Sequence, residues 1–119
     1  MYLISYGTRP ELIKLFPLIN IFKENNIDHK TIFTGQHEDL IKEFENLTHR
    51  PDFVLEKTMK HKQSINSLIY KIINESQKII NSYDCKVIIQ GDAASSFAVA
   101  VSAFNEGKEV IHVEAVSYT

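Results

Sequence analysis

The sequence is poor in the residues that build disulfides and cysteine metal sites, and it carries no excess charge of one sign. Cys85 is the one cysteine among 119 residues, which excludes an intrachain disulfide and a zinc site with four cysteine ligands. Thirteen Lys and Arg stand against 15 Asp and Glu, a net charge of −2. We therefore expect neither a nucleic-acid binder, which typically presents a strongly basic face, nor a polybasic membrane anchor.

Long apolar runs are also missing. The apolar start, residues 1–6, is short, has no basic lead and stops at Gly7, so it does not fit a secretory signal. No run approaches the roughly 18 apolar residues of a membrane span. With 44% hydrophobic and 24% charged residues, the composition is typical of a folded domain. We expect one cytoplasmic domain over residues 1–119.

Hydrophobic periodicity predicts strands that alternate with helices. The predicted strands are 3–6, 31–34, 53–55, 87–89 and 110–113. The predicted helices begin near Pro10, Leu40, Ser64 and Asp92, and the polar stretch 56–63 predicts a surface loop. This order indicates an α/β fold with a mostly parallel sheet that is covered on both sides by helices.

Ligands of such sheets bind beyond the carboxyl ends of the strands. Residues 7–10 follow the first strand and contain Arg9, and Lys14 lies one turn further along the predicted helix. Two cations at a helix N-terminus suit a phosphate or carboxylate. The alternative is structural: Glu11 pairs with Lys14 while Arg9 is solvated.

Two carboxylates follow the last two predicted strands. Asp92 comes after Gly91, where an N-cap is expected with or without a ligand, and Glu114 comes directly after a strand that we expect to be buried. Carboxylates beside cations can move protons next to an anionic leaving group. A solvated turn remains the alternative for Glu114. Gln36 and His37 follow the second strand, where spacing alone favours a simple helix start over a ligand contact.

The sequence lacks the motifs of several common nucleotide-binding and metal-binding sites. The sequence contains neither a GxGxxG nor a GxxxxGK[ST] pattern, so dinucleotide and Walker-type nucleotide sites lack support. No metal-ligand spacing is present. A response-regulator-like receiver has a similar size and alternation, but the first strand is followed by Gly7-Thr8-Arg9 rather than by acidic residues.

Four motifs in order, one at each strand end, resemble the N-terminal domain of the non-hydrolysing UDP-N-acetylglucosamine 2-epimerases. They are Gly7-Thr8-Arg9-Pro10-Glu11 with Lys14, Thr34-Gly35-Gln36-His37, Gly91-Asp92 and His112-Val113-Glu114-Ala115. The resemblance implies a Rossmann-like three-layer domain, the N-terminal half of a glycosyltransferase-B-like arrangement. It also implies interconversion of UDP-N-acetylglucosamine and UDP-N-acetylmannosamine by elimination and re-addition of UDP, with no redox cofactor, usually in a homodimer.

By the same resemblance, Arg9 and Lys14 would contact the diphosphate and sugar, and Asp92 and Glu114 would be acid/base carboxylates. Gln36 and His37 would match positions at which some bacterial members bind a second, activating UDP-N-acetylglucosamine.

The sequence departs from the family pattern in three places. The family's Gly-Asp-Thr-Thr-Thr is Gly91-Asp92-Ala93-Ala94-Ser95 here, and its Glu-Ala-Gly-Leu-Arg-Thr is Glu114-Ala115-Val116-Ser117-Tyr118-Thr119. The sequence also stops inside the second of these motifs. We therefore expect a truncated half of an epimerase that is inactive alone, lacking a C-terminal domain. The alternative is a non-catalytic module that binds a nucleotide sugar or a partner protein.

Overall fold

The computed structural model describes residues 1–35, 38–55 and 64–114. Strands and helices alternate throughout these ranges. The strands are β1 Tyr2–Tyr6, β2 His29–Phe33, β3 Phe53–Val54, β4 Lys86–Gln90 and β5 Val110–Val113. The helices are α1 Arg9–Glu24, α2 Glu38–Leu47, α3 Ile65–Asn81 and α4 Ala94–Asn105. The predicted alternation is confirmed, whereas the predicted loop 56–63 lies outside the described residues.

The strands form one sheet in the order β3-β2-β1-β4-β5, and every neighbouring pair is parallel. The first strand of the chain is therefore the central one. Leu3 of β1 lies opposite Lys30 of β2 on one side and Val87 of β4 on the other. Because all strands run the same way, their carboxyl ends meet at one edge of the sheet, which we call the carboxyl edge.

Helices cover both faces of the sheet. Along β4, Val87 and Ile89 pack into one apolar cluster while Ile88, between them, packs into the other. This is the alternation that a strand buried on both faces requires. The first cluster includes Ile72 and Ile80 of α3 with Ala98, Val99 and Ala103 of α4. The second includes Leu12, Leu15 and Ile19 of α1 with Phe44 of α2. The three-layer α/β architecture is confirmed.

Two predicted helix ends are confirmed by their backbone geometry. The Ser64 hydroxyl accepts a hydrogen bond from the backbone N–H of Ser67 at 3.1 Å, as an N-cap does. Gly107 follows the end of α4 with φ of +70°, the left-handed conformation that commonly ends a helix. In the described residues no helix combines the length and the apolar character needed to span a bilayer.

The outer strand β5 differs from β4 in burial. Val87 to Gln90 of β4 are buried, but the β5 side chains are half-buried or exposed. The prediction that Glu114 follows a buried strand is therefore wrong. In the described part of the chain β5 pairs with β4 alone, so its outer side has no covering strand there.

Candidate functional site

The loops after β1 and β2 pack closely together at the carboxyl edge. A Cβ atom on Gly7 would lie 2.4 Å from Thr34 Oγ1, and a Cβ on Gly35 would lie 2.2 Å from the Gly7 carbonyl oxygen. Real Cβ atoms do not come that close to such atoms, so both positions need glycine. The start of α4 joins this contact, because Ser95 Oγ would be 3.4 Å from the same Gly7 Cβ. Three segments of the chain therefore meet at Gly7.

The start of α1 carries both predicted cations. Thr8 is the N-cap residue, with extended φ and ψ, and Pro10 lies in the first turn, where its missing N–H costs nothing. Arg9 forms an ion pair with Glu43 of α2, and its side chain is 61% exposed. Lys14 is exposed on the second turn. The alternative prediction, that Arg9 is solvated, is thus only partly right. Its side chain is largely exposed, but the guanidinium pairs with Glu43 of α2.

Glu11 is buried, which the sequence analysis does not predict. Its side chain is 3% exposed and lies against the Thr8 hydroxyl, which also accepts the Glu11 backbone N–H at 3.4 Å. This is a capping box, in which residue N3 and the N-cap satisfy each other. The predicted alternative, a Glu11–Lys14 pair, is wrong. The spacing Thr8-x-x-Glu11 was the signal that could have identified the box.

Burial raises the pKa of the Glu11 carboxyl above its ordinary value, although hydrogen bonds from the Thr8 and Ser96 hydroxyls and from the backbone N–H groups of Gly7 and Thr8 oppose the shift. A carboxyl with a raised pKa beside a site at the carboxyl edge is a functional candidate. Glu11 therefore joins the residues that sequence reasoning had selected.

Ser96 connects Glu11 to the end of β4. Its hydroxyl oxygen lies 3.0 Å from Glu11 Oε1 and 2.7 Å from the carbonyl oxygen of Gln90. All three residues are buried. The contact between Ser96 and Glu11 joins the first turn of α4 to the first turn of α1. The contact between Ser96 and Gln90 links the two ends of the short segment from Gly91 to Ala93.

Asp92 lies in that segment, exposed to solvent. The prediction that it caps α4 is wrong: the N-cap is Ala93, which makes no side-chain capping bond. Gly91 has φ of +79° with open space around the position of a Cβ. Ala93 is where the family pattern has threonine, so the departure noted in the sequence removes the residue type that caps a helix well.

Glu114 is exposed directly after β5. The ends of β4 and β5 are joined by a bond from the Gly91 N–H to the Val113 carbonyl at 3.3 Å, and His112 Nε2 lies 2.8 Å from the Gly91 carbonyl oxygen. The fold therefore brings the segments bearing Asp92 and Glu114 together at the carboxyl edge, one strand away from α1.

The remaining predicted site residues, Gln36 and His37, lie outside the described residues, as do Val116 and Tyr118. In residues 1–35, 38–55 and 64–114 no three His, Cys, Asp or Glu side chains are grouped in a way that could hold a metal ion. Cys85 is buried away from this edge, before β4, and burial raises the pKa of its thiol.

Comparison with known proteins gives a consistent result. The family model described as UDP-N-acetylglucosamine 2-epimerase matches residues 20–117. The UDP-N-acetylglucosamine 2-epimerase of Salmonella borreze is 35% identical over 116 residues, covering 95% of this chain and 30% of that protein. The corresponding protein of Neisseria meningitidis serogroup A is 33% identical, with 95% and 31% covered. The chain thus spans about 30% of the length of these relatives.

Solved structures agree. The crystal structure of the N. meningitidis UDP-GlcNAc 2-epimerase bound to UDP-GlcNAc superposes with a TM-score of 0.87 at 29% identity, covering 96% of this chain and 31% of that one. The UDP-GlcNAc 2-epimerase of Methanocaldococcus jannaschii gives 0.84 at 31% identity, covering 100% and 33%. The described fold is therefore that of about one third of each of these proteins.

Proposed function

Because this chain belongs to the UDP-N-acetylglucosamine 2-epimerase family, we propose that its carboxyl edge is one wall of a site for UDP-N-acetylglucosamine. The observation that carries the proposal is the meeting of two helix starts at that edge, one with Arg9 and the other beside Asp92. A helix N-terminus and a guanidinium favour a diphosphate, and an exposed carboxylate nearby suits proton transfer. In this proposal Lys14 assists Arg9.

The proposed chemistry is elimination of UDP from the sugar followed by re-addition to the other face. Departure of UDP transfers negative charge to the diphosphate, which the α1 start and Arg9 would stabilise. Asp92 and Glu114 would remove and return protons on the sugar. A second UDP-N-acetylglucosamine would contact Gln36 and His37.

We propose that this chain alone binds the nucleotide sugar without turning it over, since it spans about 30% of the length of its relatives. A coupled assay should detect no conversion of UDP-N-acetylglucosamine. Turnover at roughly 1 s⁻¹ or more, an ordinary enzymatic rate, would contradict this. The alternative, a module that binds only a protein partner, predicts no nucleotide-sugar binding at all.

Calorimetric titration with UDP and with UDP-N-acetylglucosamine tests the site. Arg9→Ala should weaken binding by about tenfold or more, because a hydrogen bond to a charged group contributes roughly 1.5–3 kcal/mol. Arg50→Ala is the matched control: Arg50 also forms an exposed ion pair, with Glu45, but follows α2 at the opposite edge of the sheet. Equal affinities of wild type and Arg9→Ala would refute the site.

We also propose that α4 contacts a second copy of the chain. The helix has no charged residue among its 12, and Phe97 and Phe104 are 57% and 78% exposed on one side of it. Phe104 lies about 15 Å along the axis from the start of α4. An exposed apolar helix face of this kind is typical of a protein interface, and in this proposal a second copy of the chain covers it.

Sedimentation velocity tests this contact. Phe104→Ser should shift the chain from dimer to monomer. Ile21→Ser is the control, because Ile21 is also half-exposed but lies on α1, across the sheet from α4. A wild-type chain that stays monomeric at high concentration would contradict the proposal.

A further inference from the structure

Glu43 of α2 is in contact with the cation that the proposed site would use to hold a diphosphate. Arg9 Nη2 donates a hydrogen bond to Glu43 Oε1, and the two side chains are 61% and 41% exposed. A guanidinium keeps its charge at any physiological pH and has several N–H donors in one plane. The charge of Arg9 is therefore paired with a carboxylate of the protein itself.

The position of Glu43 is fixed by the core rather than by the ion pair. The next residue of α2, Phe44, is buried, and its ring packs edge-on against that of Tyr6, with the centroids 4.8 Å apart. A bond of 3.1 Å from the Asn20 side chain of α1 to the Leu47 carbonyl of α2 joins the same two helices further along. The packing of α1 against α2 should therefore survive the loss of the ion pair.

The backbone of Arg9 is fixed as well, since Thr8 before it is the N-cap and Pro10 after it lies in the first turn of α1. The guanidinium can still move by rotation about the side-chain bonds. Exposed ion pairs contribute little free energy, because water solvates both partners and two long side chains must be held in one geometry. A stronger partner can thus take the guanidinium from Glu43 at small cost.

A diphosphate at the start of α1 is such a partner. It carries more negative charge than one carboxylate, and its oxygens can accept two parallel hydrogen bonds from a guanidinium. The positive end of the α1 dipole also attracts it. The diphosphate and the Glu43 carboxylate therefore compete for one cation.

We propose that Glu43 is the internal counterion of Arg9, which pairs with the guanidinium in the free protein and releases it when the diphosphate of a nucleotide sugar binds. Glu43 is then a positioning residue: it acts through Arg9 and sets how tightly the site holds a diphosphate. The ligand in this inference rests on the proposed function, whereas the ion pair does not.

Calorimetric titration with UDP at low ionic strength compares wild type with Glu43→Gln. Glutamine keeps an oxygen that accepts from Arg9 but carries no charge. The variant should bind UDP about threefold more tightly, the factor expected when an exposed ion pair no longer has to be given up. The difference should shrink at high salt, which screens the pair. Equal affinities would overturn the proposal, and weaker binding by the variant would mean instead that Glu43 aligns Arg9 for the ligand.

Glu45→Gln is the matched control. Glu45 lies on the same helix, about 200° around its axis from Glu43, and pairs with Arg50 at 3.4 Å. The substitution removes the same charge from the protein, so it should leave the affinity for UDP unchanged. Equal gains in the two variants would assign the effect to net charge and refute the role of Glu43.

NMR of the Arg9 guanidinium and of the Glu43 carboxyl tests the exchange of partners directly. Without UDP, the Arg9 Nη–H signals should differ between wild type and Glu43→Gln, because pairing restrains the guanidinium; identical signals would mean that no pair exists in solution. With saturating UDP, the Glu43 carboxyl resonance of the wild type should move to its position in ligand-free Arg9→Ala, where the pair is absent. A resonance that stays in place would contradict the release of Arg9.

The two possible failures are distinguishable. A wild-type chain that binds no UDP refutes the proposed function, while the NMR comparison without UDP still reports on the ion pair. A wild-type chain that binds UDP no more weakly than Glu43→Gln refutes the counterion role and leaves the proposed site standing.

Discussion

The starts of α1 and α4 lie at the same edge of the sheet, after neighbouring strands, yet they are built differently. At α1 the chain is packed and satisfied locally: Gly7 has no space for a side chain, and Thr8 and Glu11 cap the helix. At α4 the chain is open: Gly91 has free space around it and Ala93 provides no capping bond.

This difference shows which contacts fix each of the two helix starts. The α1 start is closed by its own capping box and by Thr34 and Gly35, whereas the α4 start is tied through Ser96, to Gln90 before it and to Glu11 of α1. The exposed Asp92 therefore lies in a segment whose two ends are joined by one buried serine. Substitutions at the two starts should have unequal effects, and the following predictions measure that inequality.

The largest effect is expected at Gly7, which precedes α1, and Gly91, which precedes α4, is its comparison. Gly7→Ala would place a Cβ 2.4 Å from Thr34 Oγ1, and we expect it to lower the free energy of unfolding by about 3 kcal/mol. Gly91→Asn is the matched change. The backbone at Gly91 has a φ of +79°, which asparagine tolerates, and no atom lies within 4 Å of the position of a Cβ. We therefore expect the free energy of unfolding to fall by less than about 1 kcal/mol. Urea unfolding measures both, and equal losses would mean that the two starts are equally packed.

Glu11→Ala comes next. It leaves Thr8 and Ser96 without their buried partner, so we expect a loss of about 2 kcal/mol in urea unfolding. The loss should depend on pH. Because the folded protein raises the Glu11 pKa, the wild type binds that proton more tightly than the unfolded chain does. The extra free energy of unfolding that this proton gives the wild type over the variant is fully present below the pKa of Glu11 in the unfolded chain, about 4.3. It is lost as pH rises through the pKa of Glu11 in the folded protein. A loss that grows with pH would contradict this.

A smaller effect is expected at the α1 cap. Thr8→Ala removes the hydroxyl that accepts the Glu11 N–H, and we expect a loss of about 1 kcal/mol, measured by thermal and urea unfolding. Thr8→Ser, which keeps the hydroxyl, is the control. If alanine and serine are equally tolerated, the cap contributes nothing.

The smallest effect has the opposite sign. Ala93→Thr supplies the missing hydroxyl at the N-cap of α4, where φ and ψ are already extended, and we expect a gain of about 0.5 kcal/mol. Ala93→Val is the control, since valine has a similar shape without the hydroxyl. A gain in both variants would point to side-chain bulk rather than capping.

Much of the fold was predictable from the sequence because its signals are local. The buried run Val87 to Ile89 and the Ser64 cap follow from patterns of a few residues. The burial of Glu11 and the loss of the Asp92 cap were not predictable in the same way. The burial of Glu11 depends on which helices meet at the carboxyl edge, because Ser96 and Glu11 are far apart in the chain, whereas the α4 N-cap lies one residue past Asp92, at Ala93. The family resemblance located the edge, but only the packing identified the buried acid there.

The central position of β1 has a consequence for how the chain folds. Leu3 pairs with Val87, so β1, which precedes the other described strands in the chain, waits for β4 to be synthesised before its second side is hydrogen-bonded. Until then β1 and β2 form a ribbon with an apolar strand edge open to other chains. Contacts so distant in sequence slow folding. A nascent chain that stops short of β4 should be prone to aggregation, and the sheet should become cooperative only once β4 has been synthesised.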